Sequence, residues 1–132
     1  MKILEVVRVV SLKLDMAYER KRRIESALEK CTTRLDIISG GNNFSDRISA
    51  LIAMKAEIEE RIELLTDIKI DCQFDLIRLI CKHLKSDAVR SVINRRYGML
   101  ENFREIADYM GLSVRQVYRL HKVGINKLMR TI

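Results

Sequence analysis

The sequence predicts an all-α fold, because of its composition and the spacing of its apolar residues. The chain has no proline, only five glycines, and seven aromatic residues among 132. Apolar residues at 48% and charged residues at 33% suit helices, whereas a sheet would need more valine, threonine and aromatic side chains. Apolar residues also recur at alternating intervals of three and four, which is the heptad pattern of packed helices.

The first predicted helix carries a heptad seam that is broken once, by Lys21. The pattern stops at Ser39–Asn43, a run of small and polar residues that predicts a loop. Met1–Val10 is rich in β-branched residues, but a lone strand there would have no partner, so we predict helix. The seam consists of Leu14, Ala17, Lys21, Ile24, Leu28, Cys31, Leu35 and Ile38.

A second seam predicts a second helix that extends to about Leu84. Ser45 is the expected N-cap, and Asp46 follows it, where the helix dipole favours an acid. Because a short loop joins the two heptad helices, we expect an antiparallel coiled-coil hairpin over residues 1–85. The second seam consists of Ile48, Leu51, Lys55, Ile58, Ile62, Leu65, Lys69, Cys72, Leu76 and Leu79.

Residues 86–132 are predicted to form a second domain of three helices. Ser86 is the expected N-cap of the first, which runs to about Tyr97. The second runs from about Asn102 to Met110, and the last fills the remainder of the chain. The sequence therefore predicts a coiled-coil hairpin followed by a compact C-terminal domain.

The junction between the last two helices has the signature of a helix-turn-helix. Gly111 lies where the earlier helix must end in a left-handed conformation, which glycine adopts without steric cost. Ser113 and Gln116 are three residues apart, as in a capping box that begins the next helix. Ile106 and the small Ala107 give the earlier helix an apolar face that a crossing helix can approach closely.

The last helix is predicted to separate an apolar face from a basic one. At about 100° per residue, one stripe holds Val117, Leu120, Gly124 and Leu128. The opposite face holds Arg115, Arg119, Lys122, Asn126 and Arg130, with Tyr118 at its border. His121 lies near the edge of the apolar stripe, and we expect it to pack and form a hydrogen bond.

The charge of the C-terminal part favours a polyanionic partner. Net charge is +7, and residues 86–132 hold nine basic and four acidic side chains, with no acid after Leu112. Arginine can bond bidentately to guanine and glutamine or asparagine to adenine, and the first turns of a recognition helix usually touch base edges. The candidate contacts to double-stranded DNA are Val114, Arg115, Gln116, Tyr118, Arg119, Lys122, Asn126 and Arg130.

The cysteines and histidines do not form a pattern typical of a metal site. Cys31, Cys72 and Cys81 are odd in number and widely spaced, so we interpret them as reduced core residues. Cys81 and His83 form a C-x-H pair, but zinc needs more ligands at suitable spacing, and His121 is the only other histidine. We therefore expect neither metal nor cofactor.

Enzymatic and membrane functions are also disfavoured. The chain has no glycine-rich phosphate loop or nucleophile motif, and Glu59 and Glu60 are adjacent on a helix, so they point to different sides. Met1–Lys13 lacks the order of a signal peptide, and no apolar run approaches the roughly 18 residues of a membrane helix. We expect a cytoplasmic, non-enzymatic protein.

The C-terminal motifs resemble two families of transcription proteins. The segment Val92–Leu128 is similar to the region-four helix-turn-helix of bacterial sigma factors. It resembles even more closely phage-encoded transcriptional regulators of the ArpU-like, late-transcription kind. The matching residues are Arg96, Tyr97, Ile106, Ala107, Ser113, the run QVYRLH from Gln116 to His121, and the mid-chain pair Ser45 and Asp46.

The resemblance implies a regulator of phage or prophage late genes that binds promoter DNA and contacts RNA polymerase in the bacterial host cell. Its positions that face DNA match Val114, Arg115, Tyr118, Arg119 and Lys122. The chain departs from these families at Gly124, where alanine is usual, and at Tyr118, where a basic residue is frequent. Glycine at position 124 costs the helix up to about 1 kcal/mol, and it either permits close packing or lets the end of the helix bend.

Two other functions stay open from sequence. A phage DNA-packaging small subunit also combines a helix-turn-helix with a coiled coil, but there the DNA-binding part commonly comes first. Alternatively, the basic face meets an acidic protein, such as RNA polymerase or a protein that binds sigma factors. Homo-oligomerisation through the hairpin is a further expectation, although Lys55 and Lys69 would make a buried dimer seam costly. The cluster Glu19–Arg23 is either a second nucleic-acid contact or a solvated face paired with Glu57–Glu63.

Overall fold

A computed structural model of the chain describes residues 2–35 and 42–131. Over these ranges the chain is helical and contains no strand, which confirms the predicted all-α fold. No helix within them has an apolar stretch long enough to cross a lipid bilayer. The elements are α1 (Lys2–Leu35), α2 (Asn42–His83), α3 (Asp87–Ile93), a π-helix (Asn94–Gly98), α4 (Phe103–Met110) and α5 (Val114–Thr131).

Most predicted helix ends agree with the observed ones. The predicted helix at the start of the chain is present from Lys2 onward, and Ser86 caps α3 by accepting a hydrogen bond from the Val89 amide. The predicted N-cap at Ser45 is wrong, because α2 already begins at Asn42. Most of the predicted loop at Ser39–Asn43 lies outside the described residues, as does Ile38.

The chain divides into two compact units. The first is a hairpin over Ser11–Ile68. Ala17 and Ile24 of α1 pack with Ile58 of α2 at its centre, and all three are buried. The predicted seam therefore forms the core of this unit. The half-buried residues around that centre are Leu28, Leu51, Ile62 and Leu65.

Two lysines that interrupt the apolar seams, Lys21 and Lys55, belong to one network of ion pairs. Lys21 lies 3.6 Å from Glu59, and Lys55 lies 3.7 Å from Glu25. Higher positions on α1 therefore pair with lower positions on α2, as expected for an antiparallel hairpin. Each lysine also lies within 4.0 Å of the glutamate four residues along its own helix. The pairing predicted between the Glu19–Arg23 cluster and the acids of α2 occurs at Lys21 alone among the described contacts.

The second unit comprises Met1–Val10 and Lys69–Ile132. Its main cluster joins the start of α1 and the end of α2 to α3 and α5. The described packing therefore groups residues on both sides of position 85, whereas independent folding of residues 86–132 stays a prediction. The buried members of the cluster are Leu4, Leu76, Ile80, Leu84, Val89, Ile93 and Leu128.

Gly124 lets α5 approach α3 closely. A Cβ atom at this position would lie 2.7 Å from Cγ1 of Ile93 and 2.9 Å from Cγ1 of Val89. Both neighbours are stiff, β-branched and buried, so they have little room to shift. The departure from alanine seen in the sequence thus serves helix packing.

Candidate nucleic-acid interface

The turn between α4 and α5 has the predicted geometry. Gly111 adopts φ 66° and ψ 31°, and its N–H donates to the carbonyl of Ala107, as does that of Leu112. The amide of Gln116 donates to Oγ of Ser113 at 3.2 Å, and the amide of Ser113 donates to Oε1 of Gln116 at 3.0 Å. This confirms both the left-handed C-cap and the capping box.

The start of α4 has a reciprocal cap that sequence reasoning missed. Oδ1 of Asn102 accepts the Glu105 amide, and Nδ2 of Asn102 donates to the Glu105 carboxylate, both at 2.8 Å. The spacing of asparagine and glutamate by three residues is the signal that would have found it. Both helices of the motif therefore have fixed ends.

A small apolar cluster holds α4, α5 and α3 together. Ile106 and Ala107 of α4 contact Val117 of α5 and Val92 of α3, and all four are buried. Val117 and Leu128 are fully buried and Leu120 is half-buried, as the projected apolar stripe predicts. Because α5 buries this stripe, its opposite side must face solvent.

That solvent-facing side carries the predicted basic residues. Val114 and Tyr118, with 38% and 53% of their surface accessible, extend the exposed face toward the start of the helix. Gln116 is also exposed, but its Oε1 is used in the capping box, which leaves its amide NH₂ as a donor. Five further side chains are exposed and form no hydrogen bond or ion pair with any described residue: Arg115, Arg119, Lys122, Asn126 and Arg130.

Tyr118 is exposed but held in place. Its ring lies against that of Phe103, with centroids 4.3 Å apart, and the Arg96 guanidinium covers Phe103 at 4.6 Å. Phe103 also meets the His121 ring edge-on at 5.0 Å. An aromatic side chain fixed in this way presents its polar end to a partner at low entropic cost.

His121 has the packing and hydrogen-bonding role predicted for it. Its Nε2 lies 2.6 Å from the Tyr97 hydroxyl. Burial lowers the pKa of His121, and the nearby Arg96 lowers it further, so the neutral ring is favoured. Burial also raises the pKa of Tyr97, against a smaller opposing effect of Arg96. We therefore infer that the Tyr97 hydroxyl donates and Nε2 accepts.

Three arginines before α4 have internal roles that the count of basic residues did not reveal. Nη1 of Arg95 donates to both carboxylate oxygens of Glu101, at 3.0 and 3.3 Å, and the guanidinium lies on the Tyr109 ring. Arg96 donates to the Glu101 carbonyl at 3.1 Å, and Arg90 donates to the carbonyls of Leu84 and Cys81.

The link between Arg95 and Glu101 could not be found from helical spacing. The two residues are six apart and are joined across the π-helix and the segment that follows it, where Leu100 has a φ of 57°. Their side chains are only 16% and 20% exposed. Among residues 86–131, the exposed basic side chains are therefore those of α5 and Arg104 of α4.

The cysteines differ from one another in their surroundings. All three are free; Cys31 is buried and Cys72 half-buried, but Cys81 is exposed, so its prediction as a core residue is wrong. Cys81 lies on the solvent side of α2, whereas the preceding Ile80 faces the core. Burial raises the pKa of the Cys72 thiol, with smaller contributions from Asp75 and Asp71, which makes it a poor nucleophile.

Comparison of the chain with protein-family models, with curated proteins and with solved structures found no match. The resemblance to phage regulators and sigma region four therefore rests on sequence motifs. In this structure Arg96, Tyr97, Ile106 and Ala107 support the packing of the C-terminal helices. Much of the motif therefore consists of residues that pack the C-terminal helices, whereas Arg115 and Arg119 of α5 are exposed.

Proposed function

We propose that this protein is a sequence-specific DNA-binding transcriptional regulator that reads the major groove with α5. The observation that carries the proposal is one exposed basic face of α5, in a helix that contains no acid. The residues of this face, Arg115, Arg119, Lys122, Asn126 and Arg130, form no ion pair with a described residue. A face that meets only water would gain nothing from excluding acids. A face that approaches phosphates would.

The order of side chains along α5 suits DNA recognition. Arg115 and Arg119 lie in the first turns, one turn apart, where recognition helices touch base edges. Each can bond bidentately to guanine, and Val114 beside them offers an apolar contact to a thymine methyl group. Lys122, Asn126 and Arg130 follow on the same face, where contacts to phosphates position the helix.

The proposed role in transcription comes from the resemblance of the C-terminal motifs. They are similar to motifs of phage late-transcription regulators and of sigma region four, so we propose phage or prophage late genes as the targets. Contact with RNA polymerase belongs to the same proposal. The structure supports only the DNA-binding part of the proposal, through the exposed basic face of α5. DNA binding and the role in transcription are therefore tested separately.

Selection of bound duplexes from a random pool, followed by gel-shift titration, tests the DNA-binding part. Arg115→Ala is expected to weaken binding to the selected sequence by about 1–3 kcal/mol and to relax its specificity. Arg130→Ala, the matched control on the same face, is expected to weaken selected and unrelated duplexes alike. Equal loss of specificity from both would show that α5 is oriented differently on DNA.

The same titration separates the competing functions. Tight binding without sequence preference would favour a packaging-type DNA binder. No binding to any duplex at low salt would exclude the proposal and leave a protein-interaction module, with the basic face of α5 meeting an acidic partner. Sequence-specific binding that weakens steeply as salt rises supports a regulator.

A further inference from the structure

The hairpin over Ser11–Ile68 has a groove on one side that the proposed DNA-binding function does not use. The groove has a volume of about 770 Å³ and runs between α1 and α2. Its floor includes Ile24, Ile58, Leu51 and Leu65, which belong to the hairpin core or pack against it. A cleft of this size with an apolar floor is within the range of binding sites.

Two methionines make the groove adaptable. Met16 of α1 and Met54 of α2 line it, and they are 70% and 48% exposed. Methionine is flexible and polarizable, so it can fit the side chains of a partner helix. Exposed methionines above an apolar floor leave apolar surface in contact with water, which costs free energy unless a partner covers them.

The rim of the groove is strongly basic. Lys13, Arg20, Arg23 and Arg61 line it, and a smaller adjoining cavity that shares Ala27 and Leu51 adds Lys30 and Arg47. The one acid in the lining, Glu19, is already paired with Arg23 at 2.8 Å. The other basic groups form no ion pair with a described residue, so their charge faces outward.

Elsewhere on the described part of the hairpin acidic residues outnumber basic ones, which makes the basic rim specific to the groove. Lys21 and Lys55 are neutralised by Glu25 and Glu59, and none of these four residues lines the groove. The described acids of α1 and α2, apart from Glu19, likewise lie outside it. The combination of apolar floor and basic rim therefore calls for a ligand with an apolar stripe and acidic flanks.

We propose that this groove docks an acidic amphipathic helix of a partner protein. From Lys13 to Ala27 the lining of α1 covers about 21 Å at 1.5 Å per residue, which matches a helix of about four turns. Apolar residues of that helix, one turn apart, lie on the floor, and its glutamates and aspartates meet the rim. This is the helix-in-groove mode of recognition with charge complementarity added.

Two other occupants fit the groove less well. A second copy that paired groove to groove would place its own basic rim against this one, and like charges across an interface are costly. Nucleic acid would leave the apolar floor facing a phosphate backbone, and the lining contains no aromatic side chain on which bases stack.

The test measures fluorescence anisotropy of labelled synthetic helices of about 20 residues with the full-length protein. One helix repeats the heptad LEALEAE, and its control repeats LKALKAK, with the same apolar positions and opposite charge. We expect the acidic helix to bind at least about tenfold more tightly than the basic one. Equal binding of the two, or no binding of the acidic helix, would overturn the proposal.

Matched variants locate the site. Arg20→Glu on the rim and Met54→Glu above the floor are each expected to weaken binding of the acidic helix about five- to tenfold. Arg22→Glu and Ile52→Glu change exposed residues two positions away that do not line the groove, and binding is expected to stay within about twofold. Equal loss in the control variants would contradict the assignment.

Circular dichroism of each variant shows whether it is still folded. Because all four substituted residues are exposed, we expect the helix content to be unchanged. Displacement of the acidic helix by duplex DNA would assign the groove to nucleic acid and overturn the proposal. So would a change of oligomeric state caused by Arg20→Glu in sedimentation. None of these results depends on DNA binding by α5, so the two proposals fail separately.

Discussion

Two units of the molecule are rich in basic side chains but use them in different ways. One is the hairpin, and the other is the unit of Met1–Val10 and Lys69–Ile132, called the C-terminal unit below. In the C-terminal unit, Arg95 and Arg96 hold internal positions, while the basic residues of α5 are exposed. In the hairpin, Lys21 and Lys55 join a half-exposed ion network, while Arg20 and Arg61 lie on the rim of an apolar groove. The same residue types therefore stabilise packing, take part in a half-exposed ion network or lie exposed at the surface.

What a basic surface can bind therefore depends on the ion pairs and the surroundings of its side chains more than on the number of charges. A basic face without an apolar floor, as on α5, suits a phosphate backbone and base edges. A basic rim around an apolar floor, as on the hairpin, suits an acidic amphipathic helix. An arginine that is held between a tyrosine ring and a half-buried carboxylate, as Arg95 is, suits neither kind of partner.

We expect the greatest loss of stability when the half-buried Arg95–Glu101 pair is broken, and a much smaller loss for the more exposed ion pairs of Glu59. Glu101→Ala is expected to cost about 2 kcal/mol, because the Arg95 guanidinium, in a side chain only 16% exposed, loses its carboxylate partner. Glu59→Ala in the hairpin is expected to cost about 0.5 kcal/mol, because this ion pair is half-exposed and water can solvate Lys21 and Lys55 when the glutamate is removed.

Urea unfolding followed by circular dichroism measures both variants. The two costs are compared as the change in the free energy of unfolding of each variant relative to the unsubstituted protein. A Glu59→Ala variant that loses as much stability as Glu101→Ala would remove the distinction between internal and solvated pairs.

A second substitution sets packing against helix propensity in the C-terminal unit. Gly124→Ala would gain up to about 1 kcal/mol from propensity alone. We expect a net loss of about 1 kcal/mol or more, because the added methyl group overlaps Ile93 and Val89. Asn126→Ala, on the exposed side of the same helix, is the control and is expected to change thermal stability by less than about 0.7 kcal/mol.

The smallest expected effect is a pH dependence located at His121. Its pKa in the folded protein lies below the ordinary value of 6.5, so the unfolded chain binds more protons between these two values. Stability from this group is therefore complete above about pH 6.5 and decreases as pH falls through that window. His121→Gln should reduce the decrease, and His83→Gln should retain it, when unfolding is measured between about pH 5 and 8.

Local signals in the sequence predicted the helix ends well. Gly111, Ser113 and Gln116 act within a few residues of one another, so their roles follow from turn and capping chemistry alone. The buried and exposed faces of α5 follow from its periodicity in the same way. Both kinds of signal depend on neighbours along the chain.

What the sequence could not reveal depends on contacts between distant elements. The Arg95–Glu101 pair, the Tyr97–His121 hydrogen bond and the seating of Gly124 on Ile93 join residues without fixed spacing. Cys81 was predicted wrongly because its position borders the apolar stripe of α2. A side chain at such a border can be either buried or exposed, and that of Cys81 is exposed. The groove of the hairpin needs both helices in register, so neither heptad seam alone indicates it.

Backbone amide NMR of the full-length protein, titrated with duplex DNA at low salt, tests most directly which face binds DNA. We expect chemical-shift changes to concentrate at the amides of Val114–Lys122 in the first turns of α5, and to disappear when Arg115 and Arg119 are both changed to glutamate. Changes concentrated at Arg20 and Arg61 on the rim of the hairpin groove, or no changes at all, would contradict the proposed division of roles.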